Sequence, residues 1–161
     1  MKKKSLIYVL SVLVLLFLIP EKSEAQATSG SSYVNSAGMR IEFGSTYGTL
    51  AGLNGKHFFD EINAAEAQIL FGDGFTLVEV EYQYHGDIPN AAGLKWYFGF
   101  GPGFAFGNDQ TDVLLRLMSG LDYKVKDVPL NIVFDWRPAF IVTHETDFNA
   151  ARFGVAFRYA F

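Results

Sequence analysis

The sequence has no cysteine, few lysines beyond its first 25 residues and no apolar run long enough for a membrane-spanning helix. Without cysteine, a disulfide framework, a thiolate metal site and the lipid-attachment residue of a lipoprotein are all excluded. The longest apolar run, Leu6 to Ile19, has 14 residues, whereas a bilayer-spanning helix needs about 20. A disulfide-stabilised domain is therefore excluded, and the length of the run argues against a helical membrane protein.

The first 25 residues have the pattern of an export signal. Three lysines precede the apolar run, Pro20 ends it, and small residues follow, so that cleavage is expected after Ala25 or Ala27. A membrane anchor is the alternative, but the run is too short for one. We expect three parts: a cleaved signal peptide (1–25), a short N-terminal segment (26–36) and a single domain (37–161).

The mature chain would be acidic. Removing residues 1–25 takes four lysines and two glutamates from 13 bases and 17 acids, which leaves a net charge near −6. Nucleic-acid phosphates attract clustered Lys and Arg, so this charge argues against nucleic acid as a partner. The remaining lysines are too few for the hydrated surface of a soluble domain; they are Lys56, Lys95, Lys124 and Lys126.

Residues 37–161 divide into eight runs in which apolar residues recur at every second position, separated by short polar or Gly-rich stretches. Each run is close to the length of a tilted membrane-spanning strand. Because proline cannot donate to a ladder, Pro102 and Pro138 are expected at bulges or ladder breaks toward the outer rim. The predicted strands are 37–47, 53–59, 64–72, 75–85, 94–107, 113–125, 130–144 and 150–161, of which 53–59 alternates least clearly.

The alternation is clearest in the last run. One face carries Phe153, Val155, Phe157, Tyr159 and Phe161, and the other carries only small or cationic residues. An aromatic last residue, with apolar residues at every second position before it, resembles the signal that hands bacterial barrels to their outer-membrane assembly machinery. This resemblance implies an all-β, eight-stranded antiparallel up-and-down transmembrane barrel.

Size decides which face is inside. The apolar face carries more than a dozen aromatic residues, whereas the interior of an eight-stranded barrel is just wide enough for side chains or one small ligand. A lipocalin-like soluble barrel would have to fit those aromatics inside, so we expect the polar face to line a charge-paired lumen. The predicted lumen residues are Arg40, Glu42, Glu66, Glu79, Glu81, Lys95, Arg116, Asp122, Lys124, Asp135, Arg137, Arg152 and Arg158, with Lys56 expected beside them.

The aromatic residues suggest an orientation. If the first strand begins in the periplasm, five aromatics of the apolar face fall at the periplasmic end of their strands and form a girdle at the membrane interface. They are Tyr82, Tyr84, Trp96, Tyr123 and Tyr159.

Four segments make the resemblance more specific. Residues 53–58, 96–99, 120–129 and 135–138 look like recurring segments of a small outer-membrane barrel family of Bacteroidetes-type bacteria. More loosely, the chain is similar to outer membrane protein X and to the transmembrane part of outer membrane protein A. The resemblance implies location in the outer membrane of a Gram-negative bacterium, with lipid, lipopolysaccharide and the assembly machinery as partners. It carries no activity over to this chain.

Candidate chemistry is sparse. Glu79 and Glu81 are same-face neighbours that could act as acid and base, but a paired structural network is the expected content of such a lumen. The three histidines lack any spacing typical of a metal site. Only His144, beside Glu145 on the outer rim, is placed like the histidine of a lipid-modifying barrel enzyme, and no matching serine lies nearby.

Acidic loop residues are a second candidate. Asp109, Asp112 and Asp147 could hold calcium or the ions that bridge lipopolysaccharide, although solvated loop acids are the favoured explanation. We therefore expect a structural or interaction role, with no enzyme activity, no cofactor and no metal. The alternatives are a lipid- or lipopolysaccharide-modifying enzyme using His144 and a small-ligand carrier.

We expect the last strand to be essential for insertion. Deletion of Phe161, or replacement of Phe157, Tyr159 and Phe161 by Ser, should abolish insertion while export continues, because this face must both meet lipid and be recognised during assembly. Immunoblots of separated periplasm and outer membrane measure the outcome. Wild-type amounts of such a variant in the outer membrane would contradict the assignment.

Overall fold

A computed structural model describes residues 33–45, 48–107, 110–143 and 147–161. The predicted signal peptide, residues 26–32 of the N-terminal segment, and Asp109, His144 and Glu145 lie outside the described residues. No helix within the described residues is long and apolar enough to cross a membrane.

The described chain consists of ten β-strand segments that form the eight strands of one barrel wall. β7 and β8 pair in turn with β6 and form one interrupted strand, and β9 and β10 form another. The segments are β1 (Asn35–Gly44), β2 (Leu50–Phe58), β3 (Asn63–Phe71), β4 (Phe75–Asp87), β5 (Leu94–Gly107), β6 (Gln110–Lys124), β7 (Leu130–Trp136), β8 (Ala139–Ile141), β9 (Asp147–Asn149) and β10 (Arg152–Ala160).

The wall is a closed ring. Each strand is antiparallel to the next along the chain, and β10 pairs with β1 from Ser36↔Ala160 to Gly44↔Arg152. Asn35 and Phe161 exchange backbone hydrogen bonds of 2.9 and 2.8 Å across this seam. The predicted all-β, eight-stranded antiparallel barrel is confirmed.

The registers determine the size of the barrel. Starting from Asn35, successive partners around the ring are His57, Ala65, Tyr82, Phe100, Leu117, Pro138, Ala151 and Ser45, ten residues beyond the start. Eight strands with this shear are tilted by about 40° and enclose a backbone radius of about 8 Å. Such an interior has room for side chains and little else.

The two faces of the wall are as the size argument predicts. Phe100, Phe134 and Phe157 are 49%, 52% and 52% exposed on the outside, whereas Arg40, Arg116 and Arg137 are fully buried inside. This is the reverse of a soluble barrel, and it overturns the lipocalin-like alternative. No outward-facing position of the described strands carries a charged side chain.

The lumen also contains apolar layers that the charge pattern did not predict. We call the end of the barrel that holds Asn35 and Phe161 the terminus end and the opposite end the far end. The far-end layer consists of Leu50, Leu70, Leu77, Ala105, Leu114, Ala139 and Ile141. The terminus-end cluster consists of Tyr33, Phe58, Ala64 and Ala160. The charged side chains lie between them.

Several strand bounds differ from the prediction. β1 begins at Asn35, two residues early, and ends at Gly44, while β2 begins at Leu50 and β6 at Gln110. The residues that extend β1, β2 and β6 beyond the predicted starts are held by backbone pairing with neighbouring strands. Small or polar residues such as Asn35 and Gln110 pair through the backbone without adding to the apolar alternation that was used to place the strands.

The two prolines break the ladder in different ways. Pro138 falls between β7 and β8, opposite a bulge. Three steps separate Trp136 from Ala139, while four separate their partners Phe153 and Asn149. At Pro102, no pairing joins β4 to β5 beside Val80 and Glu81, yet the register is the same on either side. The predicted bulge or ladder break is confirmed at both prolines.

Candidate functional site

The middle of the lumen holds a neutral cluster of buried charges, which we call the lumen network. Every member points inward and is at most 2% exposed. Six acids face six bases, so the cluster has no net charge when all are ionised. The acids are Glu42, Glu66, Glu79, Glu81, Asp122 and Asp135; the bases are Arg40, Lys56, Arg116, Arg137, Arg152 and Arg158.

Arg137 is the most connected member. Its guanidinium lies 2.7 Å from Glu42, 3.3 Å from Glu79 and 3.3 Å from Asp135, and it also pairs with Glu81. Glu79 and Glu81 are on β4, three strands away around the ring. Arg137 sits beside the Pro138 ladder break, and its side chain reaches across the lumen from the interrupted strand.

The part of the network nearer the far end ties the wall to a connecting segment. Arg116 pairs with Glu79 at 2.8 Å and donates to the Arg137 carbonyl at 2.7 Å. Arg152 lies 3.5 Å from Glu42 and donates to the backbone carbonyls of Ser45 and Gly48 at 3.3 and 3.4 Å. Ser45 and Gly48, which lie between β1 and β2, are thereby tied to the mouth of the lumen.

Arg40 and Arg158 link the middle of the network to Glu66. Arg40 bridges Asp135 and Glu66 at 2.9 and 2.8 Å. Arg158 reaches the other Glu66 oxygen at 2.7 Å. These contacts connect β1, β3, β7 and β10 across the interior.

Lys56 completes the network toward the terminus end. Its Nζ lies 2.8 Å from Asp122 and 3.5 Å from Glu66. Lys56 and Asp122 stand on β2 and β6, which are directly opposite strands of the ring. Side chains from opposite walls therefore meet in the lumen.

Neutral polar side chains fill the remaining sites. Asn54 donates to Glu66 at 2.9 Å, Gln83 donates to Glu66 at 3.1 Å, and the Tyr97 hydroxyl donates to Asp135. A search for charges overlooks such residues, although their inward phase in the alternation could have revealed them. Gly154 leaves space, because a side chain there would collide with Asp135 and Arg40.

Two predicted members of the network lie elsewhere. Lys124 is half-buried at the terminus end and donates to the carbonyls of Val125 and Val128 at 3.1 and 2.8 Å. It belongs to the β6–β7 turn, because the strand ends there and turn carbonyls are the nearest acceptors. Lys95 is at the rim, 2.7 Å from the exposed carboxylate of Asp87.

The histidines do not form a common site. His57 is half-buried, with Nδ1 2.8 Å from Asn35 Oδ1. His85 is buried in the lumen, 3.2 Å from Lys56 Nζ and stacked on Tyr97 at 5.1 Å. His144 lies outside the described residues. Within the part of the chain that the structure describes, no group of three or more His, Asp or Glu side chains could hold a metal ion.

The remaining predicted residues lie on the outer face. Tyr82, Tyr84, Trp96, Tyr123 and Tyr159 are 37–61% exposed, and all stand on the part of their strands nearer the terminus end. The residues of the expected assembly signal form the outward face of β10, where Phe157 pairs with Met39 of β1. That these residues contact lipid, and that those of β10 are recognised by the assembly machinery, remains a prediction.

The chain is similar in fold to solved β-barrel structures. No family model and no curated protein sequence matches the chain. The N-terminal β-barrel domain of Pseudomonas aeruginosa OprF is similar over 80% of this chain and 100% of that one, with 16% identity and a TM-score of 0.59. Neisserial surface protein A is 18% identical over 83% of this chain and 100% of that one, with a TM-score of 0.47.

Replacing Arg137 by Leu should destabilise the barrel by about 3–5 kcal/mol, because carboxylates on three sides lose their shared cation while staying buried. The matched control is Phe134→Leu on the same strand, facing outward, which should cost less than about 1.5 kcal/mol. Urea unfolding of both variants in detergent micelles measures the difference. Equal losses of stability would contradict the importance given to the network.

Proposed function

We propose that this protein is an integral outer-membrane barrel of a Gram-negative bacterium, with a structural or interaction role and no open pore. The observation that supports this most strongly is the reversed barrel: charges inside and aromatic residues outside. An apolar outer face is favourable when it contacts lipid. A closed barrel also leaves no unpaired backbone edge in the hydrocarbon region.

The proposed orientation follows from the two ends. Both Asn35 and Phe161 lie at the terminus end, and the aromatic residues predicted as a girdle stand on the same side. Tyr84 and Trp96 are neighbours there, with ring centroids 5.9 Å apart. Amphipathic rings favour the interface between lipid and water. We place the terminus end in the periplasm and the far end at the cell surface, next to lipopolysaccharide.

Side chains from opposite strands fill the lumen and leave no room for a pore. The contacts of Lys56 with Asp122 and of Arg137 with Glu81 join opposite sides of the wall. The far-end layer and the terminus-end cluster add apolar side chains above and below the charges. Aqueous channels come with roughly 16–18 strands. An ion crossing this barrel would have to break several buried ion pairs at once.

A non-enzymatic role fits the state of the lumen carboxylates. Glu79 accepts from Arg116 and Arg137, and Glu81 is paired with Arg137. Both are only 1% exposed, so a substrate would have to displace these cations to reach them. Membrane lipid, lipopolysaccharide and the outer-membrane assembly machinery are the partners we propose.

The test of membrane location uses the mature protein in cells and in detergent. It should fractionate with outer membranes, and unheated samples should migrate differently from boiled ones on denaturing gels, because a closed barrel resists opening by detergent. Recovery as a soluble periplasmic protein would overturn the proposal.

A separate measurement addresses the pore. Purified protein inserted into planar lipid bilayers should produce no steady conductance, since buried ion pairs cross the lumen. Insertion is verified by protection from protease in vesicles made of the same lipid. Stable single-channel steps from a verified insertion would contradict a closed lumen while leaving the membrane location intact.

A further inference from the structure

The part of the lumen network nearer the terminus end contains a closed square of ion pairs, formed by Lys56, Arg158, Glu66 and Asp122. Lys56 Nζ lies 2.8 Å from Asp122 and 3.5 Å from Glu66. Arg158 lies 2.7 Å from Glu66 and 3.3 Å from Asp122. Each cation of this ion-pair square thus contacts both carboxylates, and the four charges balance one another.

His85 stands beside the ion-pair square and is completely buried. Its Nε2 lies 3.2 Å from Lys56 Nζ and 3.7 Å from Asp122. Its ring packs against Phe58 and stacks on Tyr97, with centroids 4.6 and 5.1 Å away. An ammonium has donors and no acceptor, so its hydrogen bond to Nε2 requires a lone pair on that nitrogen. The contact with Lys56 therefore assigns a neutral ring whose proton is on Nδ1.

The surroundings of His85 do not accommodate a second proton. Among the described residues Nδ1 has no hydrogen-bond acceptor, and Asp122 at 3.7 Å is beyond hydrogen-bonding distance of Nε2. The charges around the ring sum to zero, so a protonated ring would leave one positive charge buried and uncompensated. The charged and titratable side chains around it come from five strands and from the residue ahead of β1; they are Lys56, Glu66, Tyr97, Asp122, Arg158 and Tyr33.

A proton on His85 would act directly on the pair that crosses the lumen. Lys56 Nζ and His85 Nε2 both lie near the same oxygen of Asp122, at 2.8 and 3.7 Å. An imidazolium in this position repels the ammonium and competes with it for that oxygen. Because Lys56 and Asp122 stand on opposite strands of the ring, separating them removes a contact that joins two walls of the barrel.

We infer that His85 is an acid-sensitive switch in the lumen, whose proton uptake separates Lys56 from Asp122 and destabilises the barrel. Above about pH 7.5 the ring is neutral in the folded and the unfolded chain alike, and the switch has no effect. Below about pH 6.5 the unfolded imidazole takes up a proton, whereas the folded lumen opposes that proton. The unfolded state then binds more protons than the folded state, so stability falls as the pH falls.

The test compares the wild type with His85→Gln, because glutamine keeps an acceptor for Lys56 and cannot take up the proton. Urea unfolding of the mature protein is measured in detergent micelles at pH 8 and at pH 5. Between these values the unfolding equilibrium constant should rise at least about tenfold more in the wild type than in the variant. The upper bound is about 30-fold, reached when only the unfolded imidazole, with its ordinary pKa of about 6.5, binds the proton.

His57→Gln is the matched control. This second histidine is on β2, on the opposite face of the strand from Lys56, and its Nδ1 lies 2.8 Å from Asn35 Oδ1. Its replacement should leave the pH dependence of the wild type unchanged within about threefold. A difference between the wild type and His85→Gln that is also below about threefold would overturn the inference.

A direct measurement on the ring decides the matter if His85→Gln does not fold. In protein labelled with nitrogen-15 histidine, magnetic resonance spectra report which ring nitrogens carry a proton. The signals of His57 and His144 are identified by their loss in single variants. The His85 ring should carry its proton on Nδ1 alone at neutral pH, because Lys56 donates to Nε2.

The same spectra test the cause. In Lys56→Met the folded His85 ring should take up its second proton at a higher pH than in the wild type, because the opposing ammonium is gone while Asp122 remains. A doubly protonated ring in the folded wild type at neutral pH, or a titration that Lys56→Met leaves unchanged, would contradict the switch.

Discussion

The structure depends on the closure of eight strands into one ring of backbone hydrogen bonds. Pairing of β10 with β1 removes both sheet edges, so every strand finds a partner on each side. The same closure sets the radius at about 8 Å, which leaves room inside for side chains alone. What fills the interior, and what must stay outside, then follows from size: arginines and carboxylates interlock within, while phenylalanine and tryptophan face outward.

A buried charge needs a partner of opposite sign, and the charged side chains of the lumen therefore form one connected network. Removing a carboxylate from water costs several kcal/mol unless a cation compensates it, and each carboxylate of the network has at least one base within 4 Å. Arg137 serves four of them, so the arrangement is shared rather than divided into separate pairs. Such a network joins side chains from opposite walls across the interior.

Much of this could be predicted from the alternation of side chains. A period of two residues identifies which side chains enter the lumen, and that is enough to predict Arg40, Glu66 and Asp135 as interior residues. It does not say which of them meet, because contacts across the lumen depend on the shear of the whole ring. Lys124 shows the limit: it has the inward phase but stands where β6 ends, so turn carbonyls replace the carboxylates as its partners.

Tyr33 shows a second limit, because it lies outside any alternating run. Nothing in a two-residue period concerns a residue ahead of the first strand, yet its hydroxyl reaches across three strands to Asp122. The contact arises because closure brings β1 and β6 within the length of one side chain. In a narrow ring, the side chain of a residue beside one strand can therefore reach a carboxylate on a strand three places away.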